Sequence, residues 1–427
     1  MTSSPVTSPA RGSSAAFQRA VFAGFVGNGV FTVILGPTLP ALSAKWLLND
    51  SQAGFFFTAQ FCGSVLGVIL YGLLARRYGP RFAFVGGYAL MGFGVALLGA
   101  PALRLAQLGI FTAGFGYGLV TPASNLAVAT GDPKKRAARL NLLNFTWGIG
   151  AVLCPFLVAF SERRHHLDFF LWSLTAALVA FALSFVMVEI PRAESTPAAS
   201  GPHARASLSR RLVTALALFV PLFFLYVGTE TSFSGWAGAM AHEMAGLRGG
   251  IAALMPSFFW ATLLLGRASA PAVLRLLSEK TLALTGLTLA FVASLLWIIA
   301  HDTAVLALAL VLAGAGCSTI FPILVAWLTQ FTDESAAGWR SLAFGAASFG
   351  GAVVPKLVGT LSTHFGGLRA GFTLVALAIS TMIVLVLFLH RGEAGAAPTA
   401  EAGMERCNSA AALIDSARSI SPPQRRH

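Results

Sequence analysis

Charged residues are scarce in this sequence. They make up 11% of its 427 residues, whereas about a quarter of an ordinary soluble protein is charged. Acidic residues are the scarcest, with 16 Asp and Glu against 29 Lys and Arg. So little charge excludes a soluble enzyme, and a mean hydropathy of +0.75 over the whole chain excludes a soluble domain with a single anchor. The lipid bilayer is therefore predicted to be the main solvent of this chain.

Cysteine and the usual signals of a bound cofactor are also sparse. The four cysteines are widely spaced and form neither a CxxC pair nor a metal-ligand cluster, so we expect no disulfide and no metal site. The GxGxG of residues 114–118 follows no strand and no ATP-binding P-loop is present, so we expect no cofactor. The first sixteen residues lack the apolar core and cleavage site of a secretory signal, so the first apolar run is expected to be retained.

Long apolar runs fill most of the chain. Each is continuous and about 20 residues or longer, which is the length of a membrane-spanning helix, whereas barrel strands would alternate over about ten residues. The runs lie near 17–42, 51–75, 82–100, 104–130, 139–160, 168–189, 212–240, 249–273, 281–300, 303–330, 341–363 and 368–390. We therefore predict an all-α membrane protein with twelve transmembrane helices.

Glycine and proline recur at one offset between the two halves of the chain. The matching positions, 200 or 201 apart, are Gly114 and Gly314, Gly116 and Gly316, Pro122 and Pro322, Gly150 and Gly350, Pro155 and Pro355, and Val26–Gly27 and Val227–Gly228. Such a repeat predicts two pseudo-symmetric six-helix bundles. The predicted division is a disordered tail at 1–16, a bundle at 17–189, a cytoplasmic linker at 190–211, a bundle at 212–390 and a disordered tail at 391–427.

The basic residues are distributed unevenly across the predicted membrane. With the N-terminus in the cytoplasm, 22 of the 29 Lys and Arg fall on the cytoplasmic side and six on the other, and Lys356 alone lies inside a span. This bias predicts a multi-pass protein of the plasma or inner membrane with both termini in the cytoplasm. It also accounts for the net charge of +13 without a nucleic-acid partner, since no basic block is interleaved with aromatic residues.

The segment GLLARRYGPR, from Gly72 to Arg81, resembles the signature G-x-L-A-D-R-x-G-R-R of the major facilitator superfamily. In that superfamily the signature is a gating loop between the second and third helices. Gly72, Arg77, Gly79 and Arg81 match it. Arg76 stands where the signature has an acid, so the part that this acid plays in the family's inside gate is not carried over to this chain.

Further segments resemble the fucose, galactose and glucose symporter-like branch, which includes sodium-dependent glucose transporter-like proteins. They are LYVGTETSFSGW (225–236), GFGYGLVTPASN (114–125), NLLNFTWGIGAVLCP (141–155), PSFFW (256–260) and IFP (320–322). The resemblance implies sugar uptake driven by H⁺ or Na⁺. Carboxylates on helices one and four serve coupling and binding in the fucose-type members, and this chain has Asn28 and Asn125 on those helices instead.

Two ionisable residues, Glu230 and Lys356, are predicted to lie deep in the membrane. A charge in lipid is expensive and usually faces a bundle interior or an aqueous cavity. Both residues lie at a similar depth in the outer half, close enough to pair. Two interpretations stay open: Glu230 binds and releases the coupling cation, or the pair is structural and lies within the C-terminal half.

Amides and aromatic rings recognise sugars, because amides both donate and accept hydrogen bonds and rings cover apolar C–H faces. The candidate substrate-binding residues are Asn28, Gln60, Asn125, Asn141, Asn144, Trp147, Thr229 and Trp260. The alternative for each amide is a hydrogen bond between helices. Trp46 and Trp236 are interpreted instead as residues of the membrane interface.

These patterns together predict a secondary transporter and not an enzyme. The favoured substrate is a small sugar-like molecule, moved by alternating access, with H⁺ or Na⁺ as the coupling ion and a monomer as the working unit. The alternatives are a major facilitator exporter of drugs or metabolites, and a sensor of the same fold that transports nothing.

Overall fold

The computed structural model describes residues 15–129, 133–164, 166–190, 210–245, 250–331 and 337–394. In these ranges the secondary structure is helical throughout, with no strand. The first seven helices are α1 (Ala15–Thr32), α2 (Leu35–Trp46), α3 (Asp50–Tyr78), α4 (Arg81–Leu98), α5 (Leu103–Ala129), α6 (Pro133–Arg164) and α7 (His166–Met187). The next eight are α8 (Arg210–Ala245), α9 (Ile251–Val273), α10 (Glu279–Ile299), α11 (Thr303–Cys317), α12 (Ile320–Phe331), α13 (Ala337–Phe365), α14 (Leu368–Gly371) and α15 (Thr373–Ala394).

Each of the twelve apolar runs is helical. Ten helical stretches are long and apolar enough to cross a bilayer, and the pair α1 and α2, bent by 45°, is an eleventh. The twelfth run is α5, whose 27 residues span about 40 Å at 1.5 Å per residue. Four glycines and several polar residues lower the hydropathy of α5. The prediction of an all-α fold is confirmed. Most of the predicted tails and linker lies outside the described residues, whereas 15–16 and 391–394, predicted as disordered, belong to α1 and α15.

The repeated glycines are contact points between helices, and the contacts repeat as well. A side chain added to Gly114 would collide with α3 and one added to Gly116 with α4. The equivalent Gly314 and Gly316 meet α9 and α10 in the same way. Gly150 on α6 likewise touches the backbone of α1, and Gly350 on α13 touches that of α8. Small residues let helices approach this closely, so the sequence repeat corresponds to a structural repeat.

The first span is broken between α1 and α2. Pro37 has no N–H to donate to the carbonyl of Val33, and the amide of Gly36 donates to that carbonyl in a tighter turn instead, at 3.2 Å. The side-chain amide of Gln60, on α3, donates to the carbonyls of Phe31 and Thr32 at 3.2 and 3.1 Å. A neighbouring helix thus satisfies carbonyls that the break exposes.

The N-terminal and C-terminal helices are joined at one end of the protein. There α2 packs against α8, and the start of α3 packs against the end of α13. Side chains hold the second contact: Asp50 accepts a hydrogen bond from Ser362, and the hydroxyls of Ser51 and Thr360 lie 3.3 Å apart. We call this region, at residues 50–51 and 356–363, the joined end.

Past the joined end, an apolar groove lies between α3 and α13. The hydroxyl of Thr58 still donates to the carbonyl of Ala352 at 2.7 Å. Beyond it, an apolar groove of about 280 Å³ opens between the two helices. Its lining residues are Phe61, Cys62, Val65 and Leu66 of α3 and Gly345, Ser348, Phe349 and Ala352 of α13. The two helices are therefore held together by polar contacts at the joined end, and an apolar groove lies between them past Thr58.

Trp236 corrects one prediction. Its side chain is fully buried, and its indole N–H donates to the carbonyl of Pro355 at 3.1 Å. The ring also packs against Phe57 of α3. The residue belongs to the packing near the joined end and not to the membrane interface, because its N–H finds a protein carbonyl there. Trp46 is partly exposed, as an interface residue would be.

Candidate functional site

A cluster of aromatic and polar side chains forms where α1, α6 and α9 meet. The indole N–H of Trp147, on α6, donates to the hydroxyl of Thr32 on α1 at 3.2 Å. The rings of Trp147 and Trp260 meet edge to face with their centroids 5.5 Å apart. The hydroxyl of Thr32 in turn donates to the carbonyl of Asn28. We call Asn28, Thr32, Trp147 and Trp260 the tryptophan cluster; it draws on both halves of the chain.

Several buried polar side-chain atoms on α1, α8 and α9 have no hydrogen-bond partner among the described residues. They include both side-chain polar atoms of Asn28 and the indole nitrogen of Trp260. The hydroxyl oxygen of Thr229, on α8, is equally buried and unpartnered. Leaving such groups unpaired costs free energy, so native proteins seldom do it unless a ligand or water supplies the missing bonds. The unpaired groups have the chemistry to donate to and accept from hydroxyl groups.

Three of the other predicted amides, Gln60, Asn125 and Asn144, have hydrogen-bond partners. Gln60 uses its amide nitrogen at the break between α1 and α2. Asn125 donates to the carbonyl of Thr121 at 2.9 Å, and Asn144 donates to that of Leu140 at 2.9 Å, each within its own helix. Asn141 and Asn144 are exposed. The structure therefore brings Trp147 and Trp260 together, links Asn28 to them through its main-chain carbonyl and Thr32, and gives Gln60 a contact between helices, the alternative that the sequence left open.

Glu230 forms an ion pair, but Lys356 is not its partner. A carboxylate oxygen of Glu230 lies 3.4 Å from a guanidinium nitrogen of Arg267, on α9. The side chains of Glu230 and Arg267 are only 13% and 29% exposed. The Nε atom of Arg267 is buried without a hydrogen-bond partner. The predicted proximity of Glu230 to Lys356 is wrong as a pairing, because Arg267 occupies that role from the adjacent helix.

Lys356 instead contributes to the joined end. Its ammonium group donates to the main-chain carbonyl of Ser51 and to the hydroxyl of Ser51, the latter at 2.9 Å. Ser51 lies in the first turn of α3, and Lys356 lies on α13. The lysine therefore connects the N-terminal and C-terminal helices, whereas Glu230 and Arg267 both lie in the C-terminal half.

The predicted gating loop is a turn between α3 and α4. Gly79 ends α3 with a φ of 68°, a left-handed conformation that favours glycine. Arg81 donates to the carbonyl of Val188, just after α7, at 3.0 Å, and the guanidinium of Arg77 lies 5.4 Å from the ring centre of Tyr78. Gly72 is exposed within α3, and the side chain of Arg76 lies outside the described residues.

Sequence reasoning missed Arg267. The residue lies inside α9, six positions before the helix ends. It was missed because it was counted among the basic residues of the cytoplasmic loops. The signal was available, because Arg267 lies inside the predicted run 249–273. Within the described ranges, no three His, Cys, Asp or Glu side chains come together as a metal site would require.

Comparisons with known proteins bear on the family and the fold of this chain. The sequence profile of the Major Facilitator Superfamily matches residues 21–281. The chain is 24% identical over 406 residues to "Sodium-dependent glucose transporter 1A" of Mus musculus, covering 85% of this chain and 94% of that protein. The predicted resemblance to the superfamily and to its sodium-dependent glucose transporters is confirmed.

Solved structures show the same fold. A mutant of the nucleoside transporter NupG superposes with a TM-score of 0.66 at 16% identity, covering 88% of this chain and 98% of that one. The transporter FucP, in the outward conformation, superposes with a TM-score of 0.60 at 19% identity, covering 87% and 98%. With ten or eleven apolar helices of spanning length in its described part, the protein is an integral multi-pass membrane protein.

Proposed function

Because this chain belongs to the major facilitator superfamily, we propose that it is a secondary active transporter that moves a monosaccharide across the membrane, coupled to H⁺ or Na⁺. The tryptophan cluster carries the proposal. Its rings offer a surface for the apolar C–H face of a sugar, and the unpartnered atoms of Asn28, Trp260 and Thr229 offer donors and acceptors for sugar hydroxyls.

The proposed site takes side chains from both halves of the chain, as alternating access requires. Asn28 and Trp147 belong to the N-terminal half, and Thr229 and Trp260 to the C-terminal half. With both termini in the cytoplasm, the joined end faces outward and the groove between α3 and α13 lies on its cytoplasmic side. On this proposal the conformation described above is the state that receives or releases the sugar on the inside.

Glu230 is the proposed coupling residue. Its carboxylate is partly buried beside a single cation, Arg267, so its protonation, or a bound Na⁺, would change the balance of charge in the core of the C-terminal half. The 3.4 Å distance to Arg267 exceeds the 2.7–2.9 Å or so of a strong charge-assisted hydrogen bond. A contact of this length is weaker than a strong one, so a proton or Na⁺ competes with Arg267 for the carboxylate. The proposed working unit is a monomer.

The transport test uses purified protein in proteoliposomes. We expect labelled hexoses to accumulate under an imposed Na⁺ gradient or an imposed H⁺ gradient, and a panel of hexoses identifies the substrate. Uptake that ignores both gradients would argue for a uniporter. Counterflow that is absent for every sugar would exclude the proposed function.

The coupling test replaces one carboxylate. Glu230→Gln keeps the size of the side chain but removes its charge, so we expect accumulation under an ion gradient to disappear while exchange of sugar across the membrane continues. Glu189→Gln makes the same chemical change at an exposed carboxylate and is the matched control. Ion dependence that survives in Glu230→Gln would remove this residue from the mechanism.

A second candidate substrate is a small carboxylate metabolite. The unpartnered Nε of Arg267 favours it, because a guanidinium group that keeps a free donor recognises carboxylates well. Aromatic and aliphatic carboxylates therefore belong in the same uptake panel. Competition with hexose uptake separates the two candidates. If carboxylates do not inhibit hexose uptake, the site binds sugar, and Arg267 pairs only with Glu230.

A further inference from the structure

The tenth span is broken, and its counterpart in the N-terminal half is not. The break lies between α11, which ends at Cys317, and α12, which begins at Ile320. Pro322 follows it, and Pro122 stands at the equivalent position of the fourth span. Yet α5 runs through Pro122 as one continuous helix. Proline alone therefore does not explain the break.

A tyrosine hydroxyl distinguishes the two halves at this point. The hydroxyl of Tyr226, on α8, donates to the carbonyl of Cys317 at 2.9 Å, and Cys317 is the last residue of α11. The offset of 201 that relates Val26–Gly27 to Val227–Gly228 relates Phe25 to Tyr226. Phe25 is buried but has no hydroxyl. The half with the tyrosine has the broken helix, and the half with phenylalanine has the intact one.

The same tyrosine lies beside the ion pair. Glu230 lies one helical turn after Tyr226 on α8, and residues four apart share one face of a helix, so the carboxylate that pairs with Arg267 lies on the side of α8 that carries the tyrosine. Gly266, beside Arg267, packs so closely on Ser318 that an added side chain would collide with it. The ion pair and the break are thus adjacent through two separate contacts.

A tyrosine hydroxyl has only one proton to donate. Here it is given to the Cys317 carbonyl, while Arg267 balances the charge of Glu230. An unbalanced carboxylate is a stronger acceptor than a peptide carbonyl, so loss of the balancing charge would draw the hydroxyl to Glu230 and release the carbonyl of Cys317. The groups facing Glu230 in this arrangement are Tyr226, Arg267 and the thiol of Cys317.

We propose that Tyr226 is a positioning residue that links the charge state of Glu230 to the break in the tenth span. When Arg267 or a coupling cation balances Glu230, the hydroxyl stays on Cys317 and the broken form is stabilised. When Arg267 moves away and no cation has replaced it, Glu230 is charged and unbalanced, the hydroxyl moves to it, and the α11–α12 segment is free to change shape. This proposal rests on the proposed role of Glu230 in coupling.

The test compares two buried tyrosines. Tyr226→Phe removes the hydroxyl that bonds to Cys317 and keeps the ring beside Phe321. Tyr88→Phe is the matched control, because Tyr88 is equally buried but its hydroxyl has no hydrogen-bond partner. Amide hydrogen exchange of residues 316–323 is measured by mass spectrometry on the full-length protein in nanodiscs, at low and high Na⁺ and at two pH values.

We expect a saturating coupling cation to slow exchange of this segment in the unmodified protein and in Tyr88→Phe, because the cation balances Glu230 whenever Arg267 leaves it. The upper limit is roughly fivefold, since one hydrogen bond contributes about 1 kcal/mol. In Tyr226→Phe the segment should exchange at one rate whatever the cation, and accumulation of sugar should weaken while sugar exchange persists. A cation response in Tyr226→Phe equal to that of Tyr88→Phe would overturn the proposal.

Two further arms keep the outcome decisive. Glu230→Gln retains Tyr226 but has no charge at position 230, so residues 316–323 should exchange at the slow rate without any cation. A cation response in this variant also contradicts the proposal. This arm remains usable if Tyr226→Phe does not fold. Failure of the proposed function is detected in a different assay. If the unmodified protein moves no sugar in proteoliposomes, the proposed function itself is wrong. An unmodified protein whose segment ignores both cations overturns the role of Tyr226 alone.

Discussion

At the scale of single residues, two amides of one chemical type have different surroundings. Gln60 gives both hydrogens of its amide to carbonyls at the break between α1 and α2, so it is bound to the protein itself. Asn28 is as deeply buried but its side chain has no partner. An unpartnered amide is costly for the protein alone, and it is therefore the better candidate for contact with a ligand.

Asn28→Ala separates these two roles. We expect KM for the transported sugar to rise roughly tenfold, because loss of hydrogen bonds to a neutral ligand costs about 1–2 kcal/mol. The unfolding temperature should stay the same or rise, because no internal hydrogen bond is lost. Initial uptake rates and a thermal unfolding curve measure the two effects.

The control for Asn28 is Asn125→Ala, in which the lost amide bonds only within its own helix. We expect KM for that variant to stay within about twofold of the unmodified protein, since the hydrogen bond that it loses is intrahelical. If Asn28→Ala instead lowers the unfolding temperature and leaves KM unchanged, Asn28 belongs to helix packing, which was the other interpretation from sequence.

At the scale of helices, close packing at glycine defines how each half is assembled. Gly314 of α11 lies against α9, as Gly114 of α5 lies against α3. These contacts tolerate no side chain, so the positions of the neighbouring helices follow from where glycine occurs. The breaks between α1 and α2 and between α11 and α12 are a second feature of this scale, and each receives a hydrogen bond from a neighbouring helix.

Gly314→Ala tests the packing. The new methyl group would collide with Thr262 and with the carbonyl of Phe259, so we expect a loss of about 1–3 kcal/mol in the free energy of unfolding. Gly86→Ala on α4 is the matched control, because a methyl group there meets nothing within 4 Å and alanine favours helix by up to about 1 kcal/mol. Unfolding in detergent measures both, and equal shifts of the same sign would refute the packing argument.

At the scale of the whole molecule, transport needs the joined end to separate. Lys356, Asp50 and their serine partners hold α3 to α13 there, and these hydrogen bonds must break if the two halves rock apart. They are polar and individually weak, so such an opening is compatible with a reversible cycle. Arg267 and Glu230 lie within one half and need not separate.

A reversible cross-link tests this motion. The hydroxyls of Ser51 and Thr360 are 3.3 Å apart, a spacing from which cysteines at both positions can reach disulfide geometry. We expect oxidation of Ser51→Cys with Thr360→Cys to reduce transport at least tenfold, and a reductant to restore it. Each single cysteine variant is the control for the native thiols. Full transport by the oxidised double variant would show that the joined end need not open.

The sequence alone determined the fold and predicted a polar site. Apolar runs of spanning length dictate helices, because a backbone in lipid must satisfy its own hydrogen bonds. The glycine repeat then dictates two related halves, since only glycine allows those close contacts. Amides, tryptophans and Glu230 inside apolar runs indicated a polar site, because such residues are too costly to face lipid.

Only the tertiary structure decided which of these residues meet. Glu230 pairs with Arg267 and Lys356 binds the start of α3, although both lysine and arginine were visible as charges in the chain. Depth along a helix can be counted from the sequence, but the direction of a side chain depends on how each helix is rotated against its neighbours. That rotation is set by packing between helices far apart in sequence, and so the partners of Tyr226, Gln60 and Glu230 emerge only from the folded chain.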